Sequence, residues 1–491
     1  MSQLHLQVLE PFVIKQVVDE ALQVLENPGV RVHHEGALDL LEAAGALVNR
    51  NTQVARIPAP LVEMALKTAP AQFLLYSLDG KPIITYGSNT TYFDPGSAAV
   101  TILDHATGRQ RAPLTGDLVQ FVKLVETLQH LDAQSTAFIC QDVPPQMGDL
   151  YRLYVALNYM KKPIVTGAFT RAGWNVMWEL LSVVAGSGER LEERPLAIFD
   201  ICPSPPLLWS ELTCQNLMDC AARRVPAELV SMPLAGVAAP VTLLGSVVQH
   251  TAENLSGLVI HQQTRAGAPI VWGGAPAVTD MRHGSTPMGD PATWLIDLAT
   301  VEVGRYLGLP THTYMGSTDG KMLDMQAGAE SMGGVLLAIL AGASMVSGVG
   351  MIDFLRCQSL EKLIVDAELI GYARRFGSGM TIREDTLGLD QLQTNPHQAD
   401  FLERTHTRDW FAKELYMPSP VVDRGSLEQW EMAGGMAAHQ RAHDLIPRLL
   451  KKYQPNGVPA EVRRELYAIV IRTARQWGLD HLPKLEEEEN A

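Results

Sequence analysis

The sequence predicts an α/β protein whose main domain is a (β/α)8 barrel, in which eight parallel strands are each followed by a helix. Seven short apolar runs alternate with helical patterns at fairly even spacing from residue 117 onward. Evenly repeated strand–helix units favour a closed barrel over an open doubly wound sheet. No G-x-G-x-x-G pattern follows any of the runs, which also argues against a dinucleotide-binding sheet.

Residues 1–115 follow a different pattern and predict a cap packed against the barrel. Apolar residues recur at helical spacing over residues 8–25, and this pattern ends at the turn signal Asn27-Pro28-Gly29. Residues 36–48 and 59–69 predict two more short helices. The segment 84–115 predicts β-hairpins, with turns near Gly87, Gly96 and Gly108.

The barrel is expected over residues 116–383. Its predicted strands are the apolar runs at residues 136–139, 163–168, 196–201, 229–233, 269–272, 312–315 and 344–349. The clearest unit lies around residues 234–276, where two apolar runs flank a long helical pattern of small and apolar residues. The eighth strand has two candidate positions, the segment in the 90s and residues 380–382, and the pattern does not choose between them.

Residues 384–491 turn polar and predict a helical extension. Helical patterns cover residues 430–453 and 460–477, and the acidic run at residues 486–489 is expected to be a solvated tail.

Composition limits the classes of function. Apolar residues make up 46% and charged residues 19% of the 491, which is enough for a large core. The net charge is −15 without a basic block, so nucleic acid is not expected as a partner. No apolar run reaches membrane-spanning length, and the first residues lack the pattern of a signal peptide. Five scattered cysteines predict buried free thiols in the cytoplasm.

The loops after the predicted strands are expected to form the site, because the barrel fold places function at the carboxyl ends of its strands. These loops are rich in Gly, Pro, Met and aromatic residues, which favours a largely apolar mouth; tight turns alone also explain the Gly and Pro. Aromatic rings together with a few carboxylates suit an organic cation. The candidates are Tyr92, Phe93, Asp94, Phe199, Trp272, Tyr314, Asp319, Glu330 and Phe354. The alternative is that the rings fill the core and the acids cap helices.

Other chemistries find little support in the pattern. His283 and His312 lack a metal-ligand partner at the usual spacing, so no metal site is predicted. The pattern G-x-S-x-G does not occur, and no serine has an assignable base.

Long segments of the chain resemble the trimethylamine methyltransferase family of corrinoid-dependent enzymes. The resemblance rests on YFDPGSAAVTILDHATGRQRAPLTGDL from Tyr92, KKPIVTGAF from Lys161 and the segment from Pro233 to Pro269. It continues through TDMRHGSTPMGDP from Thr279, STDGKMLDMQAGAE from Ser317 and the segment that begins at Leu340. Motifs of this length in this order are far more specific than any short pattern.

The resemblance implies a barrel that transfers a methyl group from a methylated amine to the cob(I)alamin of a separate corrinoid protein. The trimethylamine enzymes carry pyrrolysine in the barrel, whereas this sequence has none; Gly320 and its neighbours are the proposed equivalent position. Members without pyrrolysine resemble glycine betaine methyltransferases. A quaternary amine is therefore the expected substrate, with glycine betaine first. The alternative is the same chemistry on another methylated amine: proline betaine, carnitine or trimethylamine.

A quaternary ammonium substrate agrees with the sparse ionisable groups. Its methyl is attached to a neutral tertiary amine as leaving group, so positioning and exclusion of water are the expected tasks. A betaine carboxylate needs a donor, for which Arg282 is the first choice and His283, His312 and Arg356 are alternatives. A non-catalytic betaine-binding protein is the competing hypothesis. Barrels of this size commonly associate, so a homo-oligomer is compatible with the sequence.

Overall fold

The computed structural model describes residues 4–384, 387–394, 397, 400–479 and 482–485. Eight parallel strands form its centre, and we number them in chain order. They are β1 (Tyr92–Pro95), β2 (Gln134–Ser135), β3 (Ile164–Thr166), β4 (Ala197–Ile201), β5 (Ala227–Ser231), β6 (Ile270–Gly274), β7 (His312–Thr313) and β8 (Met345–Val349).

The strands close into a barrel. Strands β2 to β6 pair in chain order, and β7 pairs with β8, which pairs with β1. A parallel bridge between Trp272 and Thr311 joins β6 to the start of β7. The N–H groups of Asp132 and Ala133 donate to the carbonyl of Phe93 and so join β2 to β1. The predicted (β/α)8 fold is therefore confirmed, and the open choice for the eighth strand is settled in favour of the 90s segment.

A helix follows each strand and covers the outside of the barrel. These helices are α1 (Thr115–Thr127), α2 (Gly148–Tyr159), α3 (Arg171–Ala185), α4 (Glu211–Ala222), α5 (Leu243–Thr264), α6 (Pro291–Tyr306), α7 (Met325–Ala341) and α8 (Leu360–Gly377). A 3-10 turn, Pro145–Met147, precedes α2, and a short helix, Gly188–Glu193, follows α3.

The N-terminal segment packs on α5 and plugs the bottom of the barrel. Its helices are Pro11–Glu26, Glu35–Ala43 and Ala59–Thr68, and its strands Val30–Val32, Leu47–Asn49 and Val54–Arg56 form a sheet with Leu208–Trp209. All three helices contact α5. Since α5 is covered on both sides, it tolerates the apolar pattern that marks it in the sequence. The hairpin of Phe73–Tyr76 and Pro82–Tyr86 closes the barrel from below.

Short strands extend the rim at the carboxyl end of the barrel. Thr101–Asp104, Arg109–Arg111, Met351–Ile352 and Cys357–Gln358 form one small sheet, and Leu234–Ala235 pairs with Ala277–Val278. The C-terminal extension contains the helices Leu389–Gln393, Thr405–Glu414, Leu427–Met432, Ala438–Leu450 and Ala460–Gln476 and the 3-10 turn Phe401–Glu403.

Several predicted elements differ from the structure in detail. The helix expected over residues 430–453 is two helices, because Gly434 and Gly435 have φ of +99° and +62° and end the first one. The helix expected over 36–48 ends at Ala43, and Leu47–Asn49 is a strand. The second barrel strand is Gln134–Ser135 rather than 136–139. The acidic run 486–489 lies outside the described residues.

Four of the five cysteines are buried and unpaired, whereas the free thiol residue Cys202 is exposed, so the prediction of buried thiols is wrong for Cys202. Within the described ranges no helix has the length and apolar character that crossing a bilayer requires.

Candidate active site at the barrel mouth

Side chains that point into the barrel form layers, because successive residues of a strand face opposite sides. The lowest layer is apolar and packs on the plugging hairpin. It consists of Ala133, Val165, Ile198, Val271 and Met345, which contact Leu75, Ile84 and Tyr86. This layer seals the lower end of the barrel.

The layer above is polar; Asp94, Glu228, His312 and Ser347 are buried, and Asp200 is half-buried. Ser347 Oγ donates to Asp94 Oδ1 at 2.5 Å, and His312 Nε2 lies 2.9 Å from Ser347 Oγ. The same His312 nitrogen is 3.3 Å from Glu228 Oε1. Asp200 stands beside Glu228 in the register of β4 and β5. Strands β1, β4, β5, β7 and β8 thus contribute to one network.

Two tyrosines contact this network from opposite ends. Tyr86 of the plugging hairpin donates from below to Glu228 Oε2 at 3.4 Å. Tyr314, just after β7, donates from the mouth side to Asp200 Oδ2 at 3.4 Å. Within the described part of the chain no hydrogen bond of good geometry reaches Asp200 Oδ1 or Glu228 Oε1, and the 3.3 Å approach of His312 Nε2 to Glu228 Oε1 is a contact only.

Burial keeps the network close to neutral. It raises the pKa of Asp94 and Glu228 well above their ordinary values and that of Asp200 to about 7. It also lowers the pKa of His312 to about 3, so the imidazole is uncharged. Burial therefore favours the protonated acids, whereas a positive charge in the mouth would favour their ionised forms.

A cavity of about 510 Å³ lies above the polar layer and opens at the carboxyl end of the barrel. Residues near or beyond the ends of seven strands line this cavity, together with one residue of α2 and three residues of α4. They are Ser97, Ala98, Arg152, Gly167, Ala168, Phe169, Asp200, Ile201, Cys202, Val230, Met232, Ala275, Tyr314 and Leu355, with Leu212, Thr213 and Asn216 of α4. The volume is in the range of about 300–1,000 Å³ that is usual for small-molecule sites.

Arg152 is the cation of this cavity. It comes from α2 and is only 1% exposed, and its Nη1 donates to the carbonyl of Thr136 at 2.6 Å. Its Nε–H has no acceptor among the described residues, and its guanidinium lies 4.5 Å from the centre of the Phe169 ring. Burial lowers the pKa of Arg152 to about 10, so the side chain stays charged at neutral pH. A buried guanidinium with an unused donor suits an anionic group of a ligand.

Three of the predicted residues meet in this region. Tyr314 lines the cavity, and Asp94 and His312 are buried in the polar layer below it. His312 cannot serve as the predicted carboxylate donor in its charged form, because burial keeps it neutral.

Four predicted aromatics do not line the mouth. Phe93, Phe199 and Trp272 face outward into the layer between strands and helices; Phe199 packs on Trp174, and Trp272 Nε1 donates to the carbonyl of Thr300. Tyr92 packs against the bottom layer. The alternation of side chains along each strand explains the error, since neighbouring residues point to opposite faces.

Other predicted residues lie around a second cavity of about 610 Å³ on the rim, which Asp319, Glu330 and Phe354 help to line. Asp319 accepts from the N–H groups of Met288 and Gly289, and Glu330 accepts from the N–H of Asp319. Both acids thus accept hydrogen bonds from loop backbone. Neither caps helix α7, whose N-cap residue is Asp324. The Phe354 ring is covered by Lys321, whose Nζ lies 3.8 Å from its centre.

The predicted arginines are exposed. Arg282 already pairs with Asp280 through Nε and Nη2, at 3.0 Å and 2.8 Å, and Arg356 stands in solvent on the rim. His283 also pairs with Asp280. Gly320 is buried beside Thr318 and does not line the mouth cavity.

The sequence interpretation missed Arg152, Asp200 and Glu228 as site residues. A signal was present for both acids, because a carboxylate inside an apolar strand is costly to bury without a purpose. The sequence contained no signal for Arg152, because the pattern of helix α2 does not show which of its faces lies toward the mouth.

The chain matches the family described as trimethylamine methyltransferase over residues 3–478. Trimethylamine methyltransferase MttB of Desulfitobacterium hafniense (strain DSM 10664 / DCB-2) is 27% identical over 458 residues, which cover 93% of this chain and 92% of that protein. Glycine betaine methyltransferase of Desulfitobacterium hafniense (strain Y51) is 27% identical over 467 residues, covering 95% and 96%. The crystal structure of monomethylamine methyltransferase MtmB from Methanosarcina barkeri has the same fold, with a TM-score of 0.51, 11% identity and coverage of 90% and 87%.

Proposed function

Because the chain belongs to the trimethylamine methyltransferase family, we propose that it transfers a methyl group from a quaternary amine to the cob(I)alamin of a separate corrinoid protein. Glycine betaine is the first candidate substrate. The observation that carries the proposal is that Asp200, the uppermost acid of the network, and the buried Arg152 line one cavity of about 510 Å³. Such a cavity offers one partner to each end of a zwitterion.

The acid network would receive the ammonium group. A permanent cation above Asp200 and Glu228 favours their ionised forms, since opposite charges at short range lower a carboxyl pKa. The hydroxyl of Tyr314 and the ring of Phe169 are further contacts in the same cavity. Ring faces attract quaternary ammonium groups and add to the binding of the cation.

Arg152 would receive the carboxylate of a betaine. Its unused Nε–H and its buried position support a charge-assisted hydrogen bond that fixes the substrate's orientation. The substrate's two charges would then define which methyl group faces the open end of the cavity.

The proposed reaction does not require a general acid or a general base from the protein. The methyl carbon leaves nitrogen, the electron pair of the C–N bond stays on the departing amine, and the electron pair of Co(I) forms the new carbon–cobalt bond. The nitrogen of the departing amine is neutral and the carboxylate of a betaine keeps its charge, so no proton is needed. The substrate's positive charge disappears in this step, so acids that are only partly ionised hold the ground state less tightly than fixed charges would.

Exposed apolar side chains on the rim support the docking of a corrinoid protein over the mouth. Val237 and Val241 follow β5, Met281 follows β6, and Met322 and Met325 follow β7; all five are exposed. Contiguous exposed apolar surface commonly marks a protein interface.

The test is anaerobic incubation of the protein with reduced corrinoid and glycine betaine, followed by the absorbance change from Co(I) to methyl-Co(III). NMR identifies dimethylglycine as the demethylated product. Absence of conversion with glycine betaine, proline betaine, carnitine and trimethylamine would contradict the proposal.

A larger betaine is the second candidate, which the cavity volume favours. Relative kcat/KM values for glycine betaine, proline betaine and carnitine decide between them. A protein that binds betaine by calorimetry without transferring its methyl would instead support the non-catalytic binding hypothesis.

A further inference from the structure

Three segments that are far apart in the chain meet beside the mouth sheet. His105 lies in the turn between Thr101–Asp104 and Arg109–Arg111, Glu361 lies in the first turn of α8, and His443 lies in the C-terminal helix Ala438–Leu450. The mouth cavity does not include these residues, and the proposed methyl transfer does not use them.

Their ligand atoms converge on one point. The Nδ1 atoms of His105 and His443 lie 3.2 Å and 2.9 Å from the same oxygen, Glu361 Oε1. All three ligand atoms lie within 4.8 Å of one another. Ligand atoms about 2.0–2.1 Å from a tetrahedral zinc ion are separated by about 3.3 Å. The two nitrogen–oxygen distances are therefore close to the separation of ligand atoms around such an ion.

The imidazole rings of His105 and His443 are stacked beside Glu361. Their centroids are 3.3 Å apart and their planes differ by 5°, so the rings lie face to face. Ring quadrupoles disfavour a face-to-face stack, and two protonated rings would also repel each other. The Nδ1 lone pairs lie in nearly parallel ring planes, so one ring must turn about its side-chain bonds before both nitrogens can point at a single ion.

Glu361 is held for this role. The residue is 5% exposed, and its second oxygen, Oε2, accepts from Ser359 Oγ at 3.0 Å. Hydrogen bonds that orient a ligand carboxylate are usual around metal ions. Oε1 is therefore presented to the two histidines in a fixed position.

The open side of the cluster faces a cavity of about 340 Å³, which leaves room for water as a further ligand. His439 lines this cavity one helical turn before His443, which gives the spacing His-x-x-x-His on one helix. Two imidazoles and one carboxylate suit zinc and similar transition-metal ions better than calcium or magnesium, which prefer oxygen ligands.

We propose that His105, Glu361 and His443 bind one divalent transition-metal ion of the zinc type. The ion would link the C-terminal extension to α8 and to the hairpin formed by Thr101–Asp104 and Arg109–Arg111. This differs from the sequence expectation that the chain binds no metal, and it does not depend on the substrate or on methyl transfer.

Zinc binding by the full chain tests the inference. Protein freed of affinity tag and stripped with a chelator is titrated with Zn²⁺ by calorimetry, and its metal content is measured after dialysis. The expected result is one ion per chain, with an upward shift of the thermal midpoint because the ion binds the folded state. Replacement by Co²⁺ should give the visible absorption bands of a tetrahedral N/O site.

Glu361→Gln and His443→Ala should each weaken Zn²⁺ binding at least tenfold and abolish the metal-dependent thermal shift. His406→Ala is the matched control, because His406 Nε2 lies 3.1 Å from Glu384 without a second histidine in the pair. Circular dichroism of the metal-free variants checks that they fold. Wild-type protein that retains no zinc, or folded Glu361 and His443 variants that bind zinc as tightly as wild type, would overturn the inference.

Discussion

At the residue scale, ionisable groups inside the barrel define the mouth, rather than the aromatic residues of the loops. Asp94, Asp200 and Glu228 are set into the barrel by strands, and Arg152 by a helix. Buried ionisable groups of this kind are common at functional sites because their environment shifts their pKa.

The raised pKa of Asp200 predicts a pH-dependent affinity for a cationic substrate. Below its pKa of about 7 this carboxyl is protonated, and an ammonium group must displace the proton in order to bind. The KM of glycine betaine should therefore fall by up to about tenfold per pH unit as pH rises toward 7, and then level off. Steady-state kinetics between pH 5.5 and 8.5 measure this. Asp200→Asn should flatten the profile, and an unchanged profile in that variant would count against the role of Asp200.

Arg152 predicts discrimination between substrates. Arg152→Lys should raise the KM of glycine betaine by about 10–100-fold, because a charge-assisted hydrogen bond contributes about 1.5–3 kcal/mol. Choline, which carries the same ammonium group without a carboxylate, should lose much less affinity in binding calorimetry. Arg171→Lys is the control, since Arg171 is exposed and pairs with Glu211. Equal losses for both ligands would show that Arg152 only supports the fold.

At the element scale, close packing of helix α7 on the loop after β7 depends on a glycine. A Cβ at Gly334 would overlap the carbonyl oxygen of Met315, whereas a Cβ at Gly328 in the same helix meets nothing within 4 Å. The helix can therefore lie this close to the loop after β7 only because residue 334 has no side chain.

The two glycines predict opposite effects on stability. Gly334→Ala should destabilise the protein by about 1–3 kcal/mol through overpacking. Gly328→Ala should be neutral or stabilise by up to about 1 kcal/mol, because alanine restricts the unfolded chain and favours the helix. Thermal unfolding followed by circular dichroism gives the order of the midpoints. A Gly334→Ala midpoint at or above that of wild type would refute the packing argument.

Strand alternation also decided which sequence predictions failed. Trp272 and Phe199 lie in correctly predicted strands, yet one residue of register turns each ring toward the helices instead of the mouth. The strands were predictable because apolar runs are a local signal. The sequence did not predict which side of the sheet each side chain faces, because that depends on how the strands pair.

At the scale of the whole molecule, the described residues leave the barrel open at the carboxyl end of its strands. The hairpin Phe73–Tyr76 with Pro82–Tyr86 closes the other end, and cap helices cover α5 on the outside. The proposed corrinoid partner therefore has a single approach, over the apolar side chains of the rim.

This geometry predicts an interface effect that free cofactor does not share. Val237→Glu combined with Val241→Glu should lower the rate of methyl transfer to the corrinoid protein at least tenfold, because a buried unpaired charge weakens an interface. Transfer to free cob(I)alamin should change little, since both side chains lie outside the residues that line the mouth cavity. Leu47→Glu, an equally exposed apolar position on the cap, is the control. Equal losses with both acceptors would place the defect in the site rather than in docking.

The sequence by itself determined the barrel, the family and the absence of pyrrolysine, since apolar periodicity and long motifs are properties of contiguous residues. Tertiary structure decided which charges share the mouth and placed the first strand at Tyr92–Pro95. It also brought His105, Glu361 and His443 to one point. The physical reason is that such groups lie tens to hundreds of residues apart in the chain, and only closure of the strands and packing of the helices sets the distances between them.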